Sequence, residues 1–259
     1  MCLLMLAWQV HPRYRLVVAA NRDEYHERPA AALAKWADAP LIAGRDLRAH
    51  GTWLGLDRQR RFAVVTNFRE LQRPRAAAPS RGGLIPQYLS GAAGPSAFLR
   101  QLEPQADSYA GFNLLLADGA TLAYGSNRAT PFARPLPPGV YGLSNELLDT
   151  PWPKLLRVRA GFEEWLRATR ATAAGLFTLL NDRRQAGGDA DAAHTGGLPP
   201  EWRQVLSAPF VLHPVYGTRC STVVLLEPGG AVYIAERRFD AAGEAAGETE
   251  FRLNATEWP

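Results

Sequence analysis

Apolar and polar residues come in blocks along this chain, and the first two blocks set its theme. Residues 2–10 (CLLMLAWQV) are apolar nearly throughout, His11-Pro12-Arg13-Tyr14 interrupts them, and residues 15–20 (RLVVAA) resume. Two such runs around a short polar turn predict a β-hairpin with at least one strand buried on both faces. A strand of eight residues spans roughly 26 Å, so the turn returns the end of the second strand to the start of the first. Asn21-Arg22-Asp23-Glu24 then lies near Cys2. Charged groups are costly to bury unless paired, so a tetrad of this kind beside the chain terminus marks a site that uses its charges.

The same reading predicts a short strand or turn at 41–46 and further strands at 52–57, 62–68, 112–117, 121–124, 140–143, 222–227, 231–237 and 250–254. Asp118-Gly119 and Pro228-Gly229-Gly230 supply hairpin turns. Residues 25–40, alanine-rich and carrying Arg28-Pro29, suit a loop with a short helical piece. Helical spacing appears at Leu84, Ile85, Tyr88 and Leu89, in a second segment opened by Pro95, and over 151–166 and 173–184. Strands come early, in the middle and at the end, with helices in two separate clusters. That pattern is α+β, with two antiparallel sheets stacked between helical layers. Residues 185–200 (QAGGDADAAHTGGLPP) form the one low-complexity segment and are expected to be a flexible loop.

Composition narrows the function classes. With 259 residues, 47% of them hydrophobic and 21% charged, the chain is long enough to bury about three quarters of its unfolded surface and is neither disordered nor collagen-like. The net charge of +4 is mildly basic, but its arginines are spread out instead of forming a stripe, which argues against a nucleic-acid partner. Arg58 to Arg61 comes nearest to a cluster and reads as a solvated turn. No apolar run approaches the roughly 18 residues of a membrane-spanning helix. The opening run lacks the charge and cleavage-site residues of a signal peptide. Cys2 and Cys220 make no disulfide framework and no metal-ligand spacing, and the five histidines show none either, so no metal or cofactor is expected and two thiols fit a reducing cytoplasm.

Candidate chemistry gathers at the strand ends. Removal of Met1 would leave Cys2 with a thiol and a free α-amine, whose reference pKa values are about 8.5 and 7.7–8.0, so nucleophile and base would share one residue. Arg22 would depress the thiol, and Asp23 would orient the ammonium. The plain alternative is a small apolar residue starting a strand. Asn67, near the end of a strand, and Asn145, just after one, can each offer an amide N–H to an oxyanion; alternatively Asn67 caps a turn and Asn145 orients the substrate. Arg219 would pair with a substrate carboxylate or with Asp23, or equally serve a structural role. Ser80-Arg81-Gly82-Gly83 caps a helix or, alternatively, binds an anion there.

The tetrad resembles the namesake motif of the NRDE family, also called the transport-and-Golgi-organisation protein 2 family. Further blocks match in order: Gly51-Thr52-Trp53-Leu54-Gly55, Thr66-Asn67, Ser80-Arg81-Gly82, Gly111-Phe112-Asn113, Leu143-Ser144-Asn145-Glu146, Asp149-Thr150-Pro151-Trp152-Pro153-Lys154 and Tyr216-Gly217-Thr218-Arg219-Cys220-Ser221-Thr222. The family is in turn similar to N-terminal-nucleophile hydrolases of the penicillin V acylase and bile-salt hydrolase type. That resemblance implies a four-layer αββα sandwich over residues 1–259 as a single domain, with Cys2, Arg22, Asp23, Asn67, Asn145 and Arg219 at the catalytic positions. It implies a small-molecule substrate and hydrolysis of an amide or acyl bond. The other expectation from the family is a non-catalytic binding or trafficking protein of the same fold, with haem or a lipid-like ligand in its pocket.

Overall fold

The computed structural model describes residues 3–70, 78–186 and 198–258. The alternating runs become strands β1 (Leu3–Trp8), β2 (Leu16–Tyr25), β3 (Ala30–Lys35), β4 (Leu41–Asp46), β5 (Leu54–Asp57) and β6 (Phe62–Asn67). Helices α1 (Leu84–Ser90) and α2 (Pro95–Leu102) follow, then β7 (Phe112–Ala117), β8 (Leu122–Ser126), β9 (Ala133–Leu136) and β10 (Gly139–Leu143). Next come α3 (Pro153–Arg167), α4 (Ala173–Leu180) and α5 (Pro200–Leu206), and the described chain closes with β11 (Tyr216–Leu226), β12 (Val232–Phe239) and β13 (Ala245–Leu253).

The strands form a six-stranded sheet, β10-β1-β2-β11-β12-β13, and a seven-stranded sheet, β3-β4-β5-β6-β7-β8-β9. Neighbouring strands in both run antiparallel. Side-chain alternation sends Leu4, Leu6, Leu16 and Val18 inward to meet Leu54, Leu56, Val64 and Leu115 of the other sheet. The opposite set, Leu3, Met5, Val17 and Ala19, packs under Phe162, Trp165 and Phe177 of α3 and α4. On the far side, Ala63, Val65, Leu114 and Leu116 pack under Tyr88, Leu89 and Leu99 of α1 and α2. Three apolar layers thus lie between four layers of structure, the αββα sandwich expected above. Each fully buried leucine in them contributes about 1.5–3 kcal/mol.

Three expectations are corrected and two elements are added. β2 does not stop before the tetrad but continues through it to Tyr25, because the neighbouring strand supplies hydroxyls that satisfy its polar side chains. The alanine-rich stretch after it is the edge strand β3; pairing with β4 overrides alanine's helical preference. The proline-rich β9 and the short α5 were not foreseen. Finally, Arg60 is buried instead of solvated: its Nε donates to Gly230 O, and its Nη2 donates to the carbonyls of Asn254 and Glu257. That guanidinium ties the chain's last described turn to the β5–β6 hairpin. Most of the predicted flexible loop, 187–197, lies outside the described residues.

Candidate functional site

Strand register carries the candidate residues to one end of the sandwich. Leu4 pairs with Leu143 of β10, Leu3 with Asn21 of β2, and Asn21 with Ser221 of β11. The tetrad, the segment after Leu143 and the stretch from Thr218 to Ser221 therefore lie side by side. Cys2 itself lies outside the described residues; its chain neighbour Leu3 is the residue paired with Asn21.

Within the tetrad, alternation divides the labour. Asn21 faces the helices, where its Nδ2 donates to the carbonyls of Leu180 (2.8 Å) and Pro209 (2.9 Å) and its Oδ1 accepts from Ser221 Oγ at 2.6 Å. Asp23 on the same side accepts from Thr218 Oγ1 at 2.6 Å, and that hydroxyl accepts from Val211 N. Arg22 and Glu24 point the other way, between the sheets. There the Arg22 guanidinium lies 4.3 Å from the centroid of the Trp53 ring. Glu24 Oε2 stands 3.9 Å from Arg22 Nη2 and the same distance from Arg28 Nε, beyond hydrogen-bond length in both cases. The Arg22 side chain is 5% exposed, and its Nη1 has no hydrogen-bond partner among the described residues.

Asn67 and Asn145 meet across the gap between the sheets. Asn145 is buried, and its Nδ2 donates to Asn67 O at 3.2 Å, while its own carbonyl accepts from Arg69 N at 2.6 Å. The Asn67 side chain is exposed at the end of β6. Behind them, buried Asn113 donates to Thr66 Oγ1 and Glu146 O, and accepts from Tyr124 OH, which in turn receives Leu148 N. Burial pushes the Tyr124 hydroxyl above its usual pKa, which keeps it a donor. This network pegs the loop carrying Asn145 to the opposite sheet.

The comparisons with known proteins now bear on this geometry. The family model for transport and Golgi organisation 2 matches residues 1–241. The chain belongs to that family. It is 34% identical to the transport and Golgi organization protein 2 homolog of Bos taurus, over 98% of this chain and 100% of the bovine protein. The Homo sapiens homolog is 32% identical over 92% of each chain. Among solved structures it is similar to a Caenorhabditis elegans N-acylethanolamine-hydrolyzing acid amidase ortholog, with a TM-score of 0.43, 10% identity, and coverage of 88% of this chain and 93% of that one.

Of the two roles open to Arg219, the contacts among the described residues are structural ones. Arg219 sits at a bulge in β11 between Thr218 and Cys220, and its Nη1 donates to the carbonyls of Tyr25, His26 and Arg28 at 2.9, 3.1 and 3.2 Å. It holds the turn after β2, while the hydroxyl of Thr218 reaches Asp23. Burial, and then the nearby Arg22 charge, lower the Arg219 pKa. Cys220, paired with Arg22 in register, is buried and free. Burial foremost, and then the Glu236 charge, push its thiol well up. Burial also raises Glu236, which accepts from Leu33 N of the other sheet at 2.9 Å.

The glycines of the matched blocks are explained by close approach. A Cβ on Gly51 would lie 2.4 Å from the Gly82 carbonyl carbon, so two loop segments cross where only hydrogens fit. Ser80 makes no side-chain cap hydrogen bond to the helical turn after it, and Arg81 instead donates to Gly111 O. Among the described residues no group of three or more His, Cys, Asp or Glu side chains is placed to hold a metal ion. No described helix is long and apolar enough to cross a membrane.

Proposed function

We propose that this protein is a cysteine N-terminal-nucleophile hydrolase that cleaves an amide or acyl bond of a small molecule through Cys2, the chain acting as a single domain in a reducing cytoplasm. One observation carries the proposal. Arg22 is buried between the sheets with an N–H edge that no described residue engages and no carboxylate within hydrogen-bond reach. Such a group calls for an anion, and a thiolate on the residue preceding Leu3 is the economical one.

In this reading the Cys2 sulfur attacks the substrate carbonyl and its α-amine accepts the thiol proton. Asp23, fixed by Thr218, orients that amine. Asn67 and Asn145 hold the oxyanion. Collapse of the tetrahedral intermediate passes the proton to the leaving group and forms a thioester; water then hydrolyses it, releasing the acid and restoring the thiol. Arg22 keeps the sulfur ionised.

The deciding experiment has two parts. Intact mass of protein from its native host is expected to show Met1 removed, and a panel of amides and thioesters is expected to reveal turnover. In Cys2→Ala that turnover falls on the order of 10³-fold or more with the fold intact. Quantitative retention of Met1 overturns the proposal, because the base is then an amide; binding of haem or a lipid-like ligand becomes the reading to pursue.

A further inference from the structure

We propose that Trp53 is a positioning residue for Arg22: its ring holds the guanidinium by stacking, leaves the N–H edge free for the Cys2 thiolate, and lies where it does because position 44 is glycine. This rests on the reading of Cys2 as the nucleophile, and Trp53 and Gly44 lie outside the set assigned to that chemistry above.

An arginine can be fixed in two ways. A carboxylate that fixes it consumes its N–H donors and offsets its charge. An aromatic face fixes it while doing neither, since the ring contacts the guanidinium plane and leaves the edge open. At Arg22 the second way is used. The ring centroid is 4.3 Å away, whereas the nearest acid, Glu24, stands at 3.9 Å and is shared with Arg28.

The other groups around Arg22 leave its charge standing. Cys220, paired with it in register, and Glu236 both interact with its charge, and burial favours the neutral form of each. Arg219 adds a cation, and Arg81, further out, faces Glu70 and Glu24. The site is thus a cationic edge aimed by an indole.

Gly44 makes the stack possible. A Cβ there would lie 2.3 Å from Trp53 Cζ2 and 2.5 Å from Cη2, so any side chain must push the ring off its present position. Trp53 is otherwise anchored, its carbonyl accepting from Val65 N at 3.0 Å. Gly44→Ala thus displaces the ring without adding an atom to Arg22 or to the thiol.

The test is the pH profile of alkylation of the full-length protein by iodoacetamide, with Cys2 followed by peptide mass spectrometry and buried Cys220 as the unreactive reference. Arg22→Gln is expected to raise the Cys2 midpoint by about 1–3 pH units, the usual effect of losing an adjacent opposite charge. Trp53→Leu and Gly44→Ala raise it in the same direction by less, and Trp53→Phe, which keeps a ring, returns it toward wild type. If Trp53→Leu does not fold, Gly44→Ala carries the test. Unshifted midpoints in folded Trp53→Leu and Gly44→Ala, alongside a shifted Arg22→Gln, overturn the positioning role alone. If Arg22→Gln is also unshifted, the thiolate reading itself fails.

Discussion

The two faces of β2 at the tetrad use polar residues in opposite ways. Toward the helices, Asn21 is satisfied by two carbonyls and the Ser221 hydroxyl, and one oxygen of Asp23 accepts from the Thr218 hydroxyl, all within 2.9 Å. Toward the other sheet, Arg22 is just as buried but keeps an N–H edge that no described residue uses. Buried polar groups that are fully paired hold a structure together. A buried charge held by stacking, with donors to spare, is organised for something that binds it. Within the motif Asn21 is therefore scaffold, while its neighbour Arg22 faces the gap between the sheets with a donor to spare, because a strand turns its side chains alternately.

Mutation can break that contrast. Asn21→Ala is expected to have the largest effect on stability, because it strands the Leu180 and Pro209 carbonyls and the Ser221 hydroxyl at once. A loss of about 3 kcal/mol, at about 1 kcal/mol or more for each group left unpaired, should appear in urea unfolding. A loss below that for an ordinary surface substitution would remove Asn21 from the scaffold.

Thr218→Val is expected to cost about 1–2 kcal/mol, since it removes the hydroxyl that joins Asp23 to Val211 N. It should also lower any Cys2-dependent turnover, because Asp23 then loses the hydroxyl that holds one of its oxygens. Unchanged turnover with reduced stability would place Asp23 wholly in the scaffold.

Glu236→Gln sharpens the comparison with the smallest effect, whose size depends on pH. Burial raises the Glu236 pKa, so the folded state holds its proton to higher pH than the unfolded chain does. Between those two values the native state binds more protons, and stability falls as pH rises. Glutamine has no proton to lose. The variant should match wild type below the ordinary glutamate pKa and become the more stable of the two as pH rises above it. Parallel pH–stability curves would show that folding does not raise the pKa of this carboxyl.

Much of this was legible in the sequence. Period-two apolar runs and the turns between them identified the strands that form the core, and apolar positions at helical spacing marked α1 to α4. The ordered blocks from Asn21 to Thr222 pointed to the family, now shown by the match over residues 1–241 and to Asn67 and Asn145, which the structure brings together across the sheets. What stayed hidden was polar bookkeeping. The role of Arg219 as a clamp on three carbonyls, and of Thr218 as the partner of Asp23, depended on a bulge in β11 that no local pattern announces. Trp53 stands between Gly51 and Gly55 in one of the matched blocks, yet the glycine that accommodates its ring is Gly44, on a neighbouring strand.

By itself the sequence determined the elements and the layers, because burial at intervals of two or about 3.6 residues is a local property that survives in one dimension. The tertiary structure alone decided which tetrad residue does which job. Whether a buried polar group is satisfied depends on atoms some 200 residues away in the chain, as with Ser221 and Asn21, and partners at that separation are fixed only when the strands choose their register.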